Sequence, residues 1–532
     1  MRWTDESCTG KGMGVADSGV RNIGMRRLAC GAVLALALVA VAGGATVSPR
    51  PARAEPWAPV NDIQLKNDIT TLKEYGIIPG SVTTWPIPWA AISGALARAQ
   101  GQAYPPHVMA AIARVRAKMP KRADFRRPKA SAEAMGTNRA RLVRDFGGGA
   151  RGDFDSRVAV ERHWASAYAR LAVNFRDDPV DPHDINLDGS YGAVALGNWM
   201  LFGGRVEQWW GPGWDAAMQL SNNARPMAVV GLGRLEPKPF ESRWLRWIGP
   251  WNLRVFAGRK SRLRNDFAHP WLAGYRVDFA PTSWMSWGLT YMVQFCGKGR
   301  PCSFTNIRKA LLPFPNQTNT RIDRLNRDPG DAQSGWDVTF HGTIGDLAWS
   351  AYTQQVWEDQ AEDTGALYGI SLTGRTEWLG GGQWRIMGES ADTVVDRSTF
   401  IHKTSKGGLL FQNSIFRDGS TYRRRVLGPS LDFNSLQVTG RLMLQLDKGP
   451  SFELIYRYAG INRPDPEQGG LFRAHLVSAN HEKINMLETR VIWPTERFGR
   501  FRLEAGIADD APNTPGRSPT KGRIEIGWSY GF

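Results

Sequence analysis

Arg523-Ile524-Glu525-Ile526-Gly527-Trp528-Ser529-Tyr530-Gly531-Phe532 closes the chain. In an extended backbone successive side chains point to opposite faces. One face of this segment therefore carries Ile524, Ile526, Trp528, Tyr530 and Phe532, and the other carries Arg523, Glu525, Gly527, Ser529 and Gly531. Upstream, Phe501, Leu503, Ala505 and Ile507 alternate with Arg500, Arg502, Glu504 and Gly506. From Ala165 to Phe175 every odd position is apolar, while the even ones include Ser166, Tyr168, Arg170 and Asn174. One face suits a hydrophobic environment and the other holds ionised groups.

A soluble sandwich also alternates, with its apolar face in the core and its charges in water. Three further features favour a transmembrane barrel. Beyond the N-terminal segment there is no apolar run of about 18 residues, so membrane residence falls to strands. Tryptophan and tyrosine recur near segment ends, as interfacial girdles require. The chain ends on an aromatic residue on the apolar face of its last strand. From residue 140 onward, segments of about ten residues are separated by Gly, Pro, Asp and Asn, enough for roughly 16 to 18 strands. An even number places both termini on the periplasmic side.

The 532 residues are 42% hydrophobic and 22% charged, with 58 glycines and 22 tryptophans. This excludes a disordered or fibrous chain. Net charge is +17. Residues 1–54 hold seven basic and three acidic residues, so the remainder carries +13. That excess favours an anionic neighbour, whether nucleic acid, lipid phosphate or acidic polysaccharide, and charge alone does not choose.

Arg26 and Arg27 precede an apolar Ala32–Ala45 run, and Ala52-Arg53-Ala54 offers small residues at a cleavage site. Residues 1–54 are read as a secretory signal peptide, with translation expected to begin at Met25. Residues 55–138 are expected to form a periplasmic bundle of three short helices. Leu65, Ile69, Leu72 and Tyr75 stripe the first, Ile92 and Leu96 mark the second after Pro86 and Pro88, and Val108, Ala111, Ile112 and Val115 stripe the third. Residues 139–532 are expected to form the barrel. Cys296 and Cys302 bracket a Gly/Pro loop and, in an exported protein, are expected to form a disulfide.

Several stretches resemble the Wzi-like capsule assembly family of outer-membrane proteins. They are the helix from Asp62 with Gly76-Ile77-Ile78-Pro79-Gly80-Ser81-Val82-Thr83-Thr84-Trp85-Pro86-Ile87-Pro88-Trp89, then Leu187-Asp188-Gly189-Ser190-Tyr191 and Gly197-Asn198-Trp199. The most specific is Val206-Glu207-Gln208-Trp209-Trp210-Gly211-Pro212-Gly213-Trp214, followed by Leu220 to Pro226. The resemblance implies an all-β outer-membrane barrel of 18 antiparallel strands, closed at its periplasmic end by a small α-helical bundle. It also implies a surface lectin that attaches or organises capsular polysaccharide or exopolysaccharide.

Trp209, Trp210 and Trp214 surround a Gly-Pro-Gly turn and offer faces on which sugars stack. Asn222, Asn223 and Arg225 supply donors for hydroxyls and uronate carboxylates. The other reading is a packed girdle and a lumen network. Arg423, Arg424 and Arg425 are the densest basic run of the barrel region, fit to grip acidic polymer or lipopolysaccharide phosphates, or else a solvated cluster. Asp184 to Gly189 starts like a calcium loop, but Ala195 stands where Glu is required, so an Asp-Gly turn is expected. Glu358, Asp359, Glu362 and Asp363 read as an acidic loop rather than paired catalytic carboxylates. His475 and His481 share a loop without a nucleophile or metal partner. No catalytic, metal or cofactor site is expected. The expected partners are acidic surface polysaccharide, outer-membrane lipid and lipopolysaccharide, not nucleic acid, with the protein a monomer. A sugar-conducting porin is the rival reading, and a polysaccharide-modifying hydrolase the weaker one.

Overall fold

The computed structural model describes residues 57–531, apart from 122–126, 178–182, 313–329, 359–362, 394–409, 414, 464–472 and 515–518. The signal-peptide reading and the terminal Phe532 lie outside the described residues.

Each alternating segment finds an antiparallel neighbour on both sides, and the sheet closes on itself. Closure removes the unpaired edges that hydrocarbon cannot solvate. Among the described residues there are eighteen strands, counting Ile185–Asn186 and Tyr191–Leu196 as one interrupted strand because both pair with Ala167–Asp177. The seam is made by Lys129–Thr137, which pairs with Phe154–His163 on one side and with Gly522–Gly531 on the other. The barrel thus begins inside the segment expected to belong to the bundle, ahead of residue 139. Its first strand escaped notice because its lipid side consists of Ala130, Ala132 and Ala134, too small to give a strong alternation.

Burial follows the alternation inside out. Leu171 and Ile526 are 60% and 61% exposed, whereas Arg523 and Glu525 are 2% and 0% exposed. A soluble sandwich would invert these values. The apolar outer surface is the one a bilayer covers. At one end the strands join through short turns such as Gly197-Asn198 and Gly345-Asp346, each with its glycine in the left-handed region. At the other end the links are long, as in 138–153, 206–227 and 393–435. Bacterial barrels put short turns on the periplasmic side, where both termini also lie. Exposed Trp244, Trp247, Trp284 and Trp378 gather at that end, as an interfacial girdle does.

Three helices precede the barrel: α1 Ile63–Glu74, α2 Trp89–Arg98 and α3 Pro106–Lys118. Asp62 caps α1 by accepting from the Leu65 amide at 3.0 Å. The apolar stripe of α1 packs as expected, but its polar side does not face water. Eleven of its twelve residues are buried, because the helix enters the lumen and meets a wall that is itself polar. Asn67 donates to Gln445 at 2.8 Å, and Arg385 pairs with Glu74 at 2.7 and 2.9 Å. The helices are therefore part of a plug as well as a cap.

Ile386 stands 53% exposed at the middle of its strand. Ile386→Arg is expected to lower folding stability in lipid by about 2–4 kcal/mol, and Ile344→Arg, at a turn, by about 0–1 kcal/mol. Reversible denaturant unfolding in liposomes measures both; equal costs would contradict the assigned membrane band.

Candidate functional site

Two long loops turn back into the lumen, and each carries one aspartate to its centre. Asp145 Oδ2 accepts from Arg441, Arg457 and Arg490 at 2.9, 3.0 and 2.7 Å. Asp215 accepts from Arg457 Nε at 2.7 Å and from Thr439 at 2.8 Å, and also pairs with Arg441. Those arginines are wall residues of three adjacent strands. Burial by itself would raise both carboxyls, but the arginines overcome it. Arg490, Arg441, Arg141 and Arg457 hold Asp145 well below the usual range, and Arg457 and Arg441 hold Asp215 at about 2.

The tryptophans expected to stack on sugar pack around this centre instead. Trp209, Trp210 and Trp214 are 0%, 0% and 2% exposed. Trp209–Trp210 forms a short antiparallel ladder with Thr84–Trp85 of the N-terminal segment. Phe146 meets Trp85 and Trp209 edge-on at 4.9 and 5.5 Å. Lys66 of α1 lies over Phe146, Trp209 and Trp214 at 4.3, 5.3 and 5.0 Å and donates to the Gly213 carbonyl at 2.5 Å. Gly213 has no room for a Cβ, which would sit 2.1 Å from the Ala216 carbonyl oxygen. The Gly-Pro-Gly turn therefore serves close packing.

Asn222, Asn223 and Arg225 are buried as well. Asn222 donates to the Phe146 carbonyl at 3.0 Å and to Asn61 at 2.8 Å, and Asn223 donates to the Val426 carbonyl at 2.9 Å. Arg225 grips Asp188 at 2.7 and 3.1 Å, and Arg176 and Arg205 also pair with that carboxylate. Asp188 is thereby committed to arginine, and Gly189, at φ 84°, makes the expected turn. All six of these candidate residues are buried and knit loops together, and Asn223 also reaches the edge of a small cleft at the loop end. The side chains that bind sugar also satisfy buried backbone, and their burial accords with the packed lumen network that was the other reading of these residues.

Glu358 is likewise structural, accepting from Gln333 at 2.6 Å and from the Phe411 amide at 2.7 Å. Asp359 and Glu362 lie outside the described residues. His475 is buried against the Phe433 carbonyl at 2.9 Å, and burial pushes its pKa down. Among the described residues no group of three or more His, Cys, Asp or Glu is placed to hold a metal. Cys296 and Cys302 are bonded at the start of a long loop.

The arginine run has a different fate. Thr421–Tyr422 and Arg425–Val426 form a two-residue hairpin whose tip is Arg423-Arg424. Both tip residues lie in the left-handed region, at φ 49° and 60°, where Asn-Gly is the favoured pair and a larger side chain costs roughly 1–2 kcal/mol. Arg424 is exposed, and Arg424 and Arg425 border a cleft of about 50 Å³ with Arg139, Arg141 and the apolar Leu476 and Val477. Sequence reasoning missed Arg139 and Arg141, which lie in a loop without alternation. The cleft combines cationic donors with an apolar edge at the loop end of the barrel.

Residues 124–510 match the family described as "Capsule assembly protein Wzi". The chain belongs to the Wzi capsule assembly family. A 55.8 kDa protein encoded in the cps region of Klebsiella pneumoniae is 30% identical over 309 residues, 57% of this chain, and this chain spans 58% of that relative's length. The fold is that of Wzi, an outer-membrane protein involved in group 1 capsule assembly in Escherichia coli and a carbohydrate-binding β-barrel. The TM-score is 0.71 at 23% identity, with 89% of this chain and 99% of that one covered. This Wzi-family protein is thus an outer-membrane barrel of eighteen strands with its lumen filled.

Asp145→Asn removes a charge shared by four buried arginines, and is expected to cost about 3–5 kcal/mol of loop anchoring. The wild-type barrel should show little conductance in planar bilayers, and the variant a larger, noisier one. Because the pKa of Asp215 is depressed, its anchoring is complete above the unfolded value of about 4 and lost as pH falls toward about 2. Bilayer recordings over that window should show conductance rising with acid; a flat response would contradict the assigned role.

Proposed function

We propose that this protein is a non-enzymatic surface lectin that attaches or organises an acidic capsular polysaccharide or exopolysaccharide at the outer membrane. The observation that carries the reading is the arginine tip of the 421–426 hairpin. Two bulky cations occupy backbone conformations suited to Asn or Gly, at an energetic cost, and one of them stands exposed beside a cleft. Backbone geometry favours Asn or Gly at both positions; Arg423 lies over the Tyr422 ring at 5.8 Å, and the exposed Arg424 is the cation open to a polyanion. Guanidinium groups bind carboxylate and phosphate bidentately. Apolar Leu476 and Val477 beside them supply a surface for sugar C–H faces. Family membership and the filled lumen support a lectin over a channel, and lipopolysaccharide phosphates are a second anionic partner for the same loops.

Replacing both tip residues by glycine separates function from stability. Arg423→Gly/Arg424→Gly is expected to leave the thermal midpoint unchanged or raise stability by about 1 kcal/mol, since the strain is relieved. The same variant should retain less of the organism's acidic polymer in co-sedimentation, with the wild-type retention falling as salt is raised and neutral dextran not retained. Deleting the gene should release polymer from cells without reducing its synthesis. Unchanged retention by the glycine variant would move the binding surface away from this hairpin.

A further inference from the structure

The strand Met285–Phe295 leads, at the end opposite the short turns, into a long loop whose first part, 296–312, does not enter the lumen. It contains a fourth helix, α4 Phe304–Leu311, capped by Ser303, which accepts from the Asn306 amide at 3.2 Å. Alternation along the strand shows which side of the wall the helix takes. Thr290 and Gln294 point inward, where they accept from Arg276 and Lys260 at 2.8 and 2.7 Å, so Tyr291, Val293 and Phe295 point to the lipid side. Leu289 on that side is 48% exposed, yet Val293 is only 1% exposed. The cover is α4: Ala310, Ile307 and Leu311 pack with Val293, Phe295 and Ala273, and the Tyr291 hydroxyl donates to the Ala310 carbonyl at 2.9 Å. The Cys296–Cys302 bond joins the end of the strand to the start of the helix. Helix α4 therefore lies against the outside of the barrel.

Its level is set by the strands beneath it. Phe295 pairs in register with Trp271, and Trp271 with Arg259, so the three stand in a row on the lipid side at the loop ends of adjacent strands. Trp271 keeps partial exposure, as an aromatic residue does where headgroups meet hydrocarbon. The charge at this level has one sign. From Cys296 to Leu312 there are four cations, Lys298, Arg300, Arg308 and Lys309, and no acid. Arg300 is occupied by the rings of Phe267 and Phe416, at 5.6 and 5.5 Å. Lys298, Arg308, Lys309 and Arg259 are exposed, and among the described residues none of them pairs with a carboxylate. Beside them Phe304 is 81% exposed, and Leu312 is exposed too. Bare apolar side chains next to cations are the makeup of a helix that lies in a membrane interface.

We propose that α4, with Arg259, is a docking site for the phosphorylated glycolipid of the outer leaflet. Phe304 and Leu312 enter the acyl layer, while Lys298, Arg308, Lys309 and Arg259 meet the phosphates, which guanidinium groups bind bidentately. Place and charge select this occupant: the surface is continuous with the apolar band that a bilayer covers, and four cations suit a lipid that carries more than one phosphate. The site lies across the wall from the lumen, is separate from the 421–426 hairpin, and stands whether or not the protein binds polysaccharide.

The test is a thermophoresis titration of the full-length protein in neutral detergent, carrying Arg424→Gln so that the hairpin contributes little. The probes are bisphosphorylated lipid A, the same lipid without its phosphates, phosphatidylglycerol and inorganic phosphate. Bisphosphorylated lipid A is expected to bind most tightly, and added salt should weaken it. Arg308→Gln/Lys309→Gln should weaken it by roughly fivefold for each cation removed, whereas the charge-conserving Arg308→Lys/Lys309→Arg should retain it. Equal loss in both pairs would mean that the helix has merely loosened, and overturns the proposal. So does unchanged affinity in the glutamine pair, which would put the lipid elsewhere on the barrel. Equal binding of the dephosphorylated lipid or of phosphatidylglycerol overturns the choice of occupant, and equal binding of inorganic phosphate overturns docking of a lipid.

Discussion

The grip of wall arginines on Asp145 and Asp215 is the interaction on which the filled barrel depends. A closed ladder of backbone hydrogen bonds makes a stable tube but says nothing about its contents. Arginines buried in the lumen must be paired or pay a large desolvation cost, and the carboxylates that pair Arg441, Arg457 and Arg490 come partly from loops rather than from the wall. Loop closure and wall neutralisation are thus one event. Next to Asp145, Phe146 contacts Trp85 and Trp209, and the N-terminal helix meets the same rings through its Lys66.

This arrangement explains how a protein so rich in glycine and tryptophan spreads those residues over two unrelated tasks. Exposed tryptophans at the turn end lie where headgroups meet hydrocarbon, while Trp85, Trp209 and Trp214 build one apolar centre in a lumen rich in ion pairs and Trp210 packs in a second with Trp57, Phe202 and Phe256. The arginine hairpin lies at the loop end of the same barrel.

The alternating runs around Leu171 and Ile526 showed strands, because a period of two is a local property that survives any tertiary context, and the absence of a long apolar run, the aromatic segment ends and the aromatic C-terminus turned that into a membrane barrel. The three helices were equally plain from their stripes. The strand Lys129–Thr137 was not, since alanine against polar residues hardly alternates. Nor was the burial of the polar side of α1, which requires a polar wall to receive it. For the candidate site, Arg424 was visible as part of a dense charge run, whereas Trp209 and Asn222 were indistinguishable from sugar-binding residues: the same indole and amide groups serve both ends.

Strand period, membrane residence, helix positions and family resemblance were therefore legible in the chain alone, each carried by neighbours within a dozen residues or by a contiguous motif. Which tryptophans are buried, which carboxylate meets which arginine, and that Arg157 faces Glu207 while Arg424 faces outward came only with the tertiary structure. Those pairings join residues tens to hundreds of positions apart, and the direction of a loop, into the lumen or away from it, is set by the charge it finds there rather than by its own sequence.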